Sequence, residues 1–230
     1  MTDFDMNVTM GEGVRRLPVY LLLDCSGSMG GAPIESVKRG VELFISEVAG
    51  DTYARQTVHV GVITFASEAA LVTKGLVPFD AFTMPTLSAS GTTALGGALR
   101  LLRQSLDSDL RKSVPGGEKG DWKPLVFVLT DGAPTDAWQE PRQDLLSRQS
   151  GKVINMITVG CGTGINEEQI KAIAIGPTFR MDATESSFKT FFQWVSQSVK
   201  AVSKAVSQPD AGQAPSAMPQ PDPAVIQYVP

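Results

Sequence analysis

The stretch Pro18 to Ser28, with the sequence PVYLLLDCSGS, decides the fold, because an apolar run ends there in acid and hydroxyl side chains. Pro18 to Leu23 is short and apolar on both sides of the pleat, which is typical of a strand buried in a parallel sheet. Asp24, Ser26 and Ser28 follow at alternate positions, so a locally extended backbone turns all three side chains to one side. The stretch therefore predicts a central strand whose carboxyl end carries oxygen atoms.

The rest of the chain alternates short apolar runs with amphipathic stretches. Strands are predicted at 57–65, 70–77, 125–129, 153–159 and 179–181. Helices are predicted from the stripe 34–48, the leucine stripe 95–106, and the stretches 166–174 and 184–207. Gly40 lies inside the first stripe at a cost of about 1 kcal/mol relative to alanine, which suggests close packing there. Strands that alternate with helices predict an α/β fold with a mostly parallel sheet covered on both faces.

Composition excludes several classes of protein. The chain has 230 residues and a net charge of −4, which favours one domain and disfavours nucleic acid as the main partner. Its apolar runs are far shorter than the ~20 residues that span a bilayer, so no membrane partner is expected. The acidic N-terminal stretch is unlike a signal peptide, and two cysteines make no disulfide framework; both features favour a cytoplasmic location.

The expected organisation is a flexible arm over residues 1–14, one domain over 15–207 and a disordered tail over 208–230. The tail is expected to be disordered because six prolines punctuate it. It also ends in a short β-prone strip, Ala224 to Val229, which either adds to another protein's sheet edge or stays without structure.

Two further segments carry oxygen side chains where strands and helices meet. Asp131 follows the apolar strand 125–129, and Thr92 and Thr93 precede the leucine-striped helix. Ligands of open α/β sheets bind at the carboxyl ends of the strands, where the strand order reverses, so these segments are expected to meet. Carboxylates and hydroxyls without imidazole suit a hard cation, Mg²⁺ first, with Mn²⁺ or Ca²⁺ as substitutes.

The combination Asp24-x-Ser26-x-Ser28, Gly91-x-Thr93 and Thr130-Asp131-Gly132 resembles the metal-ion-dependent adhesion site of von Willebrand factor A domains. We call Asp24, Ser26, Ser28, Thr93 and Asp131 the oxygen cluster. The stretches RRLPVYLLLDCSGSMGG, ASGTTALGGAL and GDWKPLVFVLTDGAPTD are similar to bacterial TerY-type proteins of tellurite-resistance and stress-response gene clusters. The resemblance covers about residues 15 to 207 and leaves out both ends.

The resemblance implies a three-layer, Rossmann-like sheet with one antiparallel edge strand and the strand order 3-2-1-4-5-6. It implies direct metal ligation by Ser26, Ser28 and usually Thr93, with Asp24 and Asp131 bound through water. The ion then keeps much of its charge, and an acidic side chain of a partner completes its shell. The expected function is a non-catalytic, Mg²⁺-dependent adaptor in a bacterial stress response. A protein kinase and a PP2C-like phosphatase of the same gene neighbourhood are the candidate partners.

Other interpretations stay open at this stage. An enzyme is the main alternative, namely a Mg²⁺-dependent phosphohydrolase that uses Asp24 or a metal-bound water. An extracellular adhesion module is a third class, disfavoured by the N-terminal sequence. Trp138 is a candidate partner contact, although packing in the core or at its rim explains it equally well, and Trp122 is a weaker candidate. Cys25 and Cys161 are expected to be free, unreactive thiols.

Overall fold

The computed structural model describes residues 15–117, 119–147, 154–206 and 218–230, in which strands and helices alternate as the sequence predicts. The strands are β1 (Leu17–Asp24), β2 (Val58–Phe65), β3 (Ala69–Leu71), β4 (Val77–Pro78), β5 (Leu125–Thr130), β6 (Asn155–Cys161), β7 (Thr178–Met181) and β8 (Gln227–Tyr228). The helices are α1 (Ala32–Ala49), α2 (Thr52–Thr57), α3 (Leu95–Asp109), α4 (Gln139–Ser147), α5 (Glu167–Ile173) and α6 (Glu185–Val206).

The described strands form one sheet in the order β3-β2-β1-β5-β6-β7-β8, and β4 also pairs with β2. The pairs from β2 through β1, β5 and β6 to β7 are all parallel. β3 and β4 pair with β2 in the antiparallel sense and share the edge position expected for a single strand. The predicted α/β fold and the order of the six predicted positions are therefore confirmed, whereas the sheet has a second antiparallel edge, because β8 pairs with β7 beyond the last predicted strand.

Helices cover both faces of this sheet. Every residue of β1 is buried, because alternate side chains enter opposite core clusters. Val19 and Leu21 belong to the cluster that includes residues of α1 and α6. Tyr20 and Leu22 belong to the cluster that includes the leucines of α3. The first strand is apolar on both sides for this reason, as parallel strands buried on two faces require.

Gly40 of α1 lies directly against the Phe192 ring of α6. A Cβ atom added at Gly40 would lie 1.9 Å from Cδ2 of Phe192, well inside the distance that real atoms allow. The close packing predicted at this glycine is confirmed, and the aromatic ring of α6 occupies the space that a side chain would need.

Two helices were not predicted from the sequence. α2 is a six-residue helix whose first turn is capped by the Asp51 carboxylate, which accepts a hydrogen bond from the Ala54 amide. α4 buries Pro141 and Leu145 only, so it presents no apolar stripe for a periodicity argument to find. No helix of the described ranges is long and apolar enough to cross a membrane.

The expectation of disorder was wrong for residues 218–230. β8 pairs antiparallel with β7, and Ile226 and Val229 on either side of it are 1% and 3% exposed. Nε1 of Trp194 also donates a hydrogen bond to the Pro219 carbonyl oxygen at 2.8 Å. The β-prone strip therefore adds to the sheet edge of its own chain. The predicted arm, 1–14, and residues 207–217 lie outside the described residues.

Candidate functional site

The site lies at the carboxyl ends of β1 and β5, which are neighbours in the sheet. From β1 the chain turns to β2 on one side and later reaches β5 on the other, so this junction is the point where the strand order reverses. The loop after β1 carries Ser26 and Ser28, and Asp131 directly follows β5. Crevices of this kind are the usual ligand sites of open α/β sheets.

Asp24 ends β1 and is completely buried. Its Oδ1 accepts a hydrogen bond from the Ser26 amide at 2.8 Å, and its Oδ2 accepts one from the Thr130 hydroxyl at 2.6 Å. A buried carboxylate is costly unless hydrogen bonds compensate its lost hydration. Thr130 therefore supports Asp24, a role that its place in the sequence motif did not reveal. Its position as the last residue of a buried apolar strand was the available signal.

The two serines connect the loop after β1 to Asp131. Oγ of Ser26 lies 3.0 Å from Oγ of Ser28, and the Ser28 hydroxyl donates to Oδ1 of Asp131 at 2.7 Å. Ser26 is buried, whereas Ser28 is exposed. A chain of oxygen atoms thus runs from the protein interior to the surface.

The segment before α3 is tied to the loop after β1. The Gly27 amide donates to the Gly91 carbonyl oxygen at 3.0 Å, and the Ser90 amide donates to the Cys25 carbonyl oxygen at 2.8 Å. Gly91 has a φ of +72°, and an added Cβ would lie 2.1 Å from Oγ of Ser67. Only glycine fits this position, because its φ is left-handed and the Ser67 side chain fills the space beside it.

Thr93 rather than Thr92 faces the site. Thr93 is 6% exposed, and its Oγ1 lies 3.6 Å from where a Cβ of Gly132 would be, beside Asp131. Thr92 is exposed, and its amide donates to the Ser67 hydroxyl at 3.3 Å. All five members of the oxygen cluster therefore come from the three segments that meet at this junction.

The electrostatics fit a cation. Burial raises the pKa of Asp131, the Ser28 hydrogen bond opposes this, and the neighbouring Asp24 charge raises the pKa further. Among the described residues no lysine or arginine forms an ion pair with either carboxylate. The described residues also hold no cluster of three His, Cys, Asp or Glu side chains suited to a metal, so a centre here depends on hydroxyl donors. Two carboxylates that have no ion-pair partner in the described part of the chain, together with three hydroxyls, suit a hard ion such as Mg²⁺.

The two cysteines are free, as predicted, and both are buried. Burial raises the pKa of Cys25 to about 11, and the adjacent Asp24 charge raises it further. Burial also raises the pKa of Cys161. Neither thiol carries appreciable thiolate near neutral pH, so neither has the character of a nucleophile.

The aromatic candidates occupy different ends of the sheet. Trp122 precedes β5 at the amino ends of the strands, where its ring lies 3.6 Å from the Arg15 guanidinium carbon, so it is remote from the site. Trp138 follows the loop after Asp131 and is partly buried against the α3 core cluster. Packing thus accounts for part of Trp138, and its contact with a partner stays a prediction.

Comparison with known proteins agrees with this architecture. The chain is 27% identical over 194 residues to the uncharacterized protein sll0103 of Synechocystis, covering 79% of this chain and 43% of that protein. The chain spans less than half the length of the curated relatives that it matches.

Solved structures share the fold, and two of them illustrate it. A von Willebrand factor type A protein from Catenulispora acidiphila has a TM-score of 0.62 at 18% identity, over 81% of this chain and 43% of the other. Proximal thread matrix protein 1 of the mussel byssus, solved with a zinc-occupied metal-ion-dependent adhesion site, has a TM-score of 0.55 at 18% identity, over 81% and 48%. The model of the von Willebrand factor type A domain matches residues 19–194, so the chain belongs to that family.

Proposed function

We propose that the chain is a metal-dependent protein-interaction module that binds an acidic side chain of a partner. One observation carries the proposal: the oxygen cluster converges at the strand-order reversal with two carboxylates and no ion-paired lysine or arginine among the described residues. A divalent cation, Mg²⁺ by preference, supplies the positive charge that attracts the partner's carboxylate.

The hydrogen bonds suggest which members of the oxygen cluster contact the ion directly and which have an outer role. Ser26, Ser28 and Thr93 are the proposed direct ligands, because their hydroxyls are neutral and leave the positive charge of the ion largely uncompensated. Each Asp24 oxygen already accepts a hydrogen bond from the protein, which favours an outer role for this carboxylate. Asp131 shares the outer role in the proposal, and it orients Ser28 by accepting its hydroxyl hydrogen.

The finer proposal is a cytoplasmic adaptor of a bacterial stress-response or tellurite-resistance system. The similarity of the motif stretches to TerY-type proteins supports it, and two unpaired cysteines fit a reducing compartment. A protein kinase and a PP2C-like phosphatase are the proposed partners. Trp138, which lies three residues after Thr135 in the sequence, is a proposed partner contact at the rim of the site.

Affinity capture from a lysate of the source organism tests the interaction. The immobilised wild type is loaded in MgCl₂, washed and then eluted with EDTA. We expect a defined protein to elute with EDTA from the wild type and from Ser46→Ala, which removes an exposed hydroxyl of α1. The double variant Ser26→Ala/Ser28→Ala should retain none of it. Equal capture with and without Mg²⁺ would contradict the metal bridge.

A phosphatase assay tests the proposal that the chain is not an enzyme. Oxygen-only magnesium sites also serve phosphoryl transfer, but such catalysis needs groups that hold the transferring phosphate. We expect the wild type and Asp24→Ala to show the same background hydrolysis of p-nitrophenyl phosphate in MgCl₂. Metal-dependent turnover that Asp24→Ala abolishes would replace the adaptor with a phosphohydrolase.

A further inference from the structure

The loop that follows β5 is fastened to the residues that lead into α3. The Thr93 amide donates to Oγ1 of Thr135 at 3.1 Å, and the Thr135 amide donates back to the Thr93 carbonyl oxygen at 2.9 Å. This reciprocal pair joins two segments that lie 42 residues apart in sequence. One member of the pair, Thr93, belongs to the oxygen cluster.

A second connection lies one turn further along. Oδ1 and Oδ2 of Asp136 accept hydrogen bonds from the Gly96 and Gly97 amides, both at 2.8 Å. These amides belong to the first turn of α3, where helices have no internal acceptors. Ala94, the residue that precedes the helix, provides no side-chain cap, so Asp136 supplies the cap from a separate loop. Its negative charge also suits a helix amino end.

The contact is close as well as polar. A Cβ atom at Gly96 would lie 2.2 Å from the Ala137 carbonyl oxygen, so the loop backbone rests directly on the start of α3. A larger residue at position 96 would push the two segments apart. The glycine at position 96 and the hydrogen bonds of Thr135 and Asp136 therefore hold the same two segments together, namely the loop after β5 and the start of α3.

These contacts between the loop after β5 and the start of α3 fix one part of the oxygen cluster relative to another. Asp131 begins the loop that carries Thr135 and Asp136, whereas Thr93 begins the segment that they hold. Movement of that loop changes the separation between the Asp131 carboxylate and the Thr93 hydroxyl. Neither Thr135 nor Asp136 needs to contact an ion to affect its binding.

We infer that Thr135 and Asp136 are positioning residues, which hold Thr93 at the place where it ligates the divalent cation together with Ser26 and Ser28. The inference rests on the proposed function and adds to it two residues outside the ligand set. Groups that orient metal ligands typically change metal affinity by about 10- to 100-fold when they are removed.

Isothermal titration with MgCl₂ and urea unfolding in EDTA, on the same variants, test the inference. We expect Thr135→Val and Asp136→Ala to raise the Mg²⁺ dissociation constant by about tenfold or more. Thr135→Ser keeps the hydroxyl that Thr93 needs and should bind Mg²⁺ like the wild type. This rescue separates positioning from a general requirement for the loop.

Asp51→Ala is the matched control, because Asp51 caps α2 at the opposite end of the sheet through the Ala54 amide at 2.9 Å. It should lower the free energy of unfolding in EDTA as Asp136→Ala does, with an unchanged Mg²⁺ dissociation constant. If the wild type binds Mg²⁺ and both Thr135→Val and Asp136→Ala bind it within twofold, the inference is wrong and the proposed function stands. If the wild type binds no Mg²⁺, the proposed function fails first, and the inference with it.

Discussion

The Thr130 hydroxyl donates to Oδ2 of Asp24 at 2.6 Å and thereby joins the ends of β5 and β1. Both residues are essentially inaccessible to solvent, at 1% and 0% exposure. This hydrogen bond gives one oxygen of the buried carboxylate a donor, and the Ser26 amide gives the other oxygen, Oδ1, its donor. The structural anchor of the oxygen cluster is thus a pair on adjacent strands.

Thr130→Val should destabilise the metal-free protein by about 1.5–3 kcal/mol, because it leaves a buried charge short of a donor. Thr158→Val is the matched control on β6. The Thr158 hydroxyl is buried without a hydrogen-bond partner in the described structure, so its removal should be neutral or stabilising. Urea unfolding in EDTA measures both. Equal losses would show that the Asp24 contact has no special value.

Mg²⁺ should stabilise the wild type against heat, because a ligand that binds only the folded state shifts the unfolding equilibrium. At a concentration 100 times the dissociation constant the gain is about 2.7 kcal/mol. Ser28→Ala should abolish the shift in melting temperature between MgCl₂ and EDTA, whereas Ser46→Ala should keep it. A shift that survives in Ser28→Ala would remove this serine from the ligand set.

Gly40→Ala should cost about 1–3 kcal/mol, because the new methyl group collides with the Phe192 ring. The same change at Gly97 in α3 meets only ordinary contacts, the nearest at 3.5 Å. Gly97→Ala should therefore gain up to about 1 kcal/mol from the higher helix propensity of alanine. Chemical denaturation measures the change in the free energy of unfolding for each variant. A loss of stability at both positions would contradict the packing argument.

Neither cysteine should react with Ellman's reagent in the native protein at pH 8, since both thiols are buried and protonated. A thiol with a raised pKa gains thiolate only as the pH rises, so labelling of Cys25 should accelerate toward pH 11. Unfolding in guanidinium should release two equivalents of thiol at pH 8. Rapid native labelling of Cys25→Ser, in which only Cys161 remains, would locate an opening at the end of β6.

Ile226→Ala should destabilise the protein by about 2–4 kcal/mol, which is typical of truncating a buried aliphatic side chain. Gln227→Ala, one residue further, alters an exposed side chain and should change stability by less than about 0.5 kcal/mol. The emission of Trp194, which donates to Pro219, should shift to the red only if the segment detaches. Equal stability of the two variants would mean that β8 contributes nothing to the fold.

The central part of the fold was predictable because its signals are local. β1 and β5 are buried on both faces, which forces a nearly continuous apolar sequence. The oxygen cluster was predictable for a related reason, since each member follows a strand or precedes a helix that periodicity identifies. The sequence alone does not say whether Thr92 or Thr93 belongs to the site. In the structure Thr93 is buried there, whereas Thr92 is exposed and its amide donates to the Ser67 hydroxyl.

The remaining features depend on contacts between distant segments. α4 has two buried residues and β8 has only two residues in all, so neither gives a periodic signal. The prolines of the tail suggested disorder, yet Ile226 joins a core cluster and Val229 is buried, which composition does not reveal. Asp136 caps a helix that begins 41 residues earlier, at Leu95, and no local sequence signal reveals such a distant cap.

Ser28 and Asp131 touch although 103 residues separate them in the chain. A peptide that carries only the loop after β1 would hold the serines with neither Asp131 nor Thr93 opposite them. Transferring this centre to another scaffold therefore requires all three segments that meet at the carboxyl ends of β1 and β5. The DxSxS sequence alone would not reproduce it.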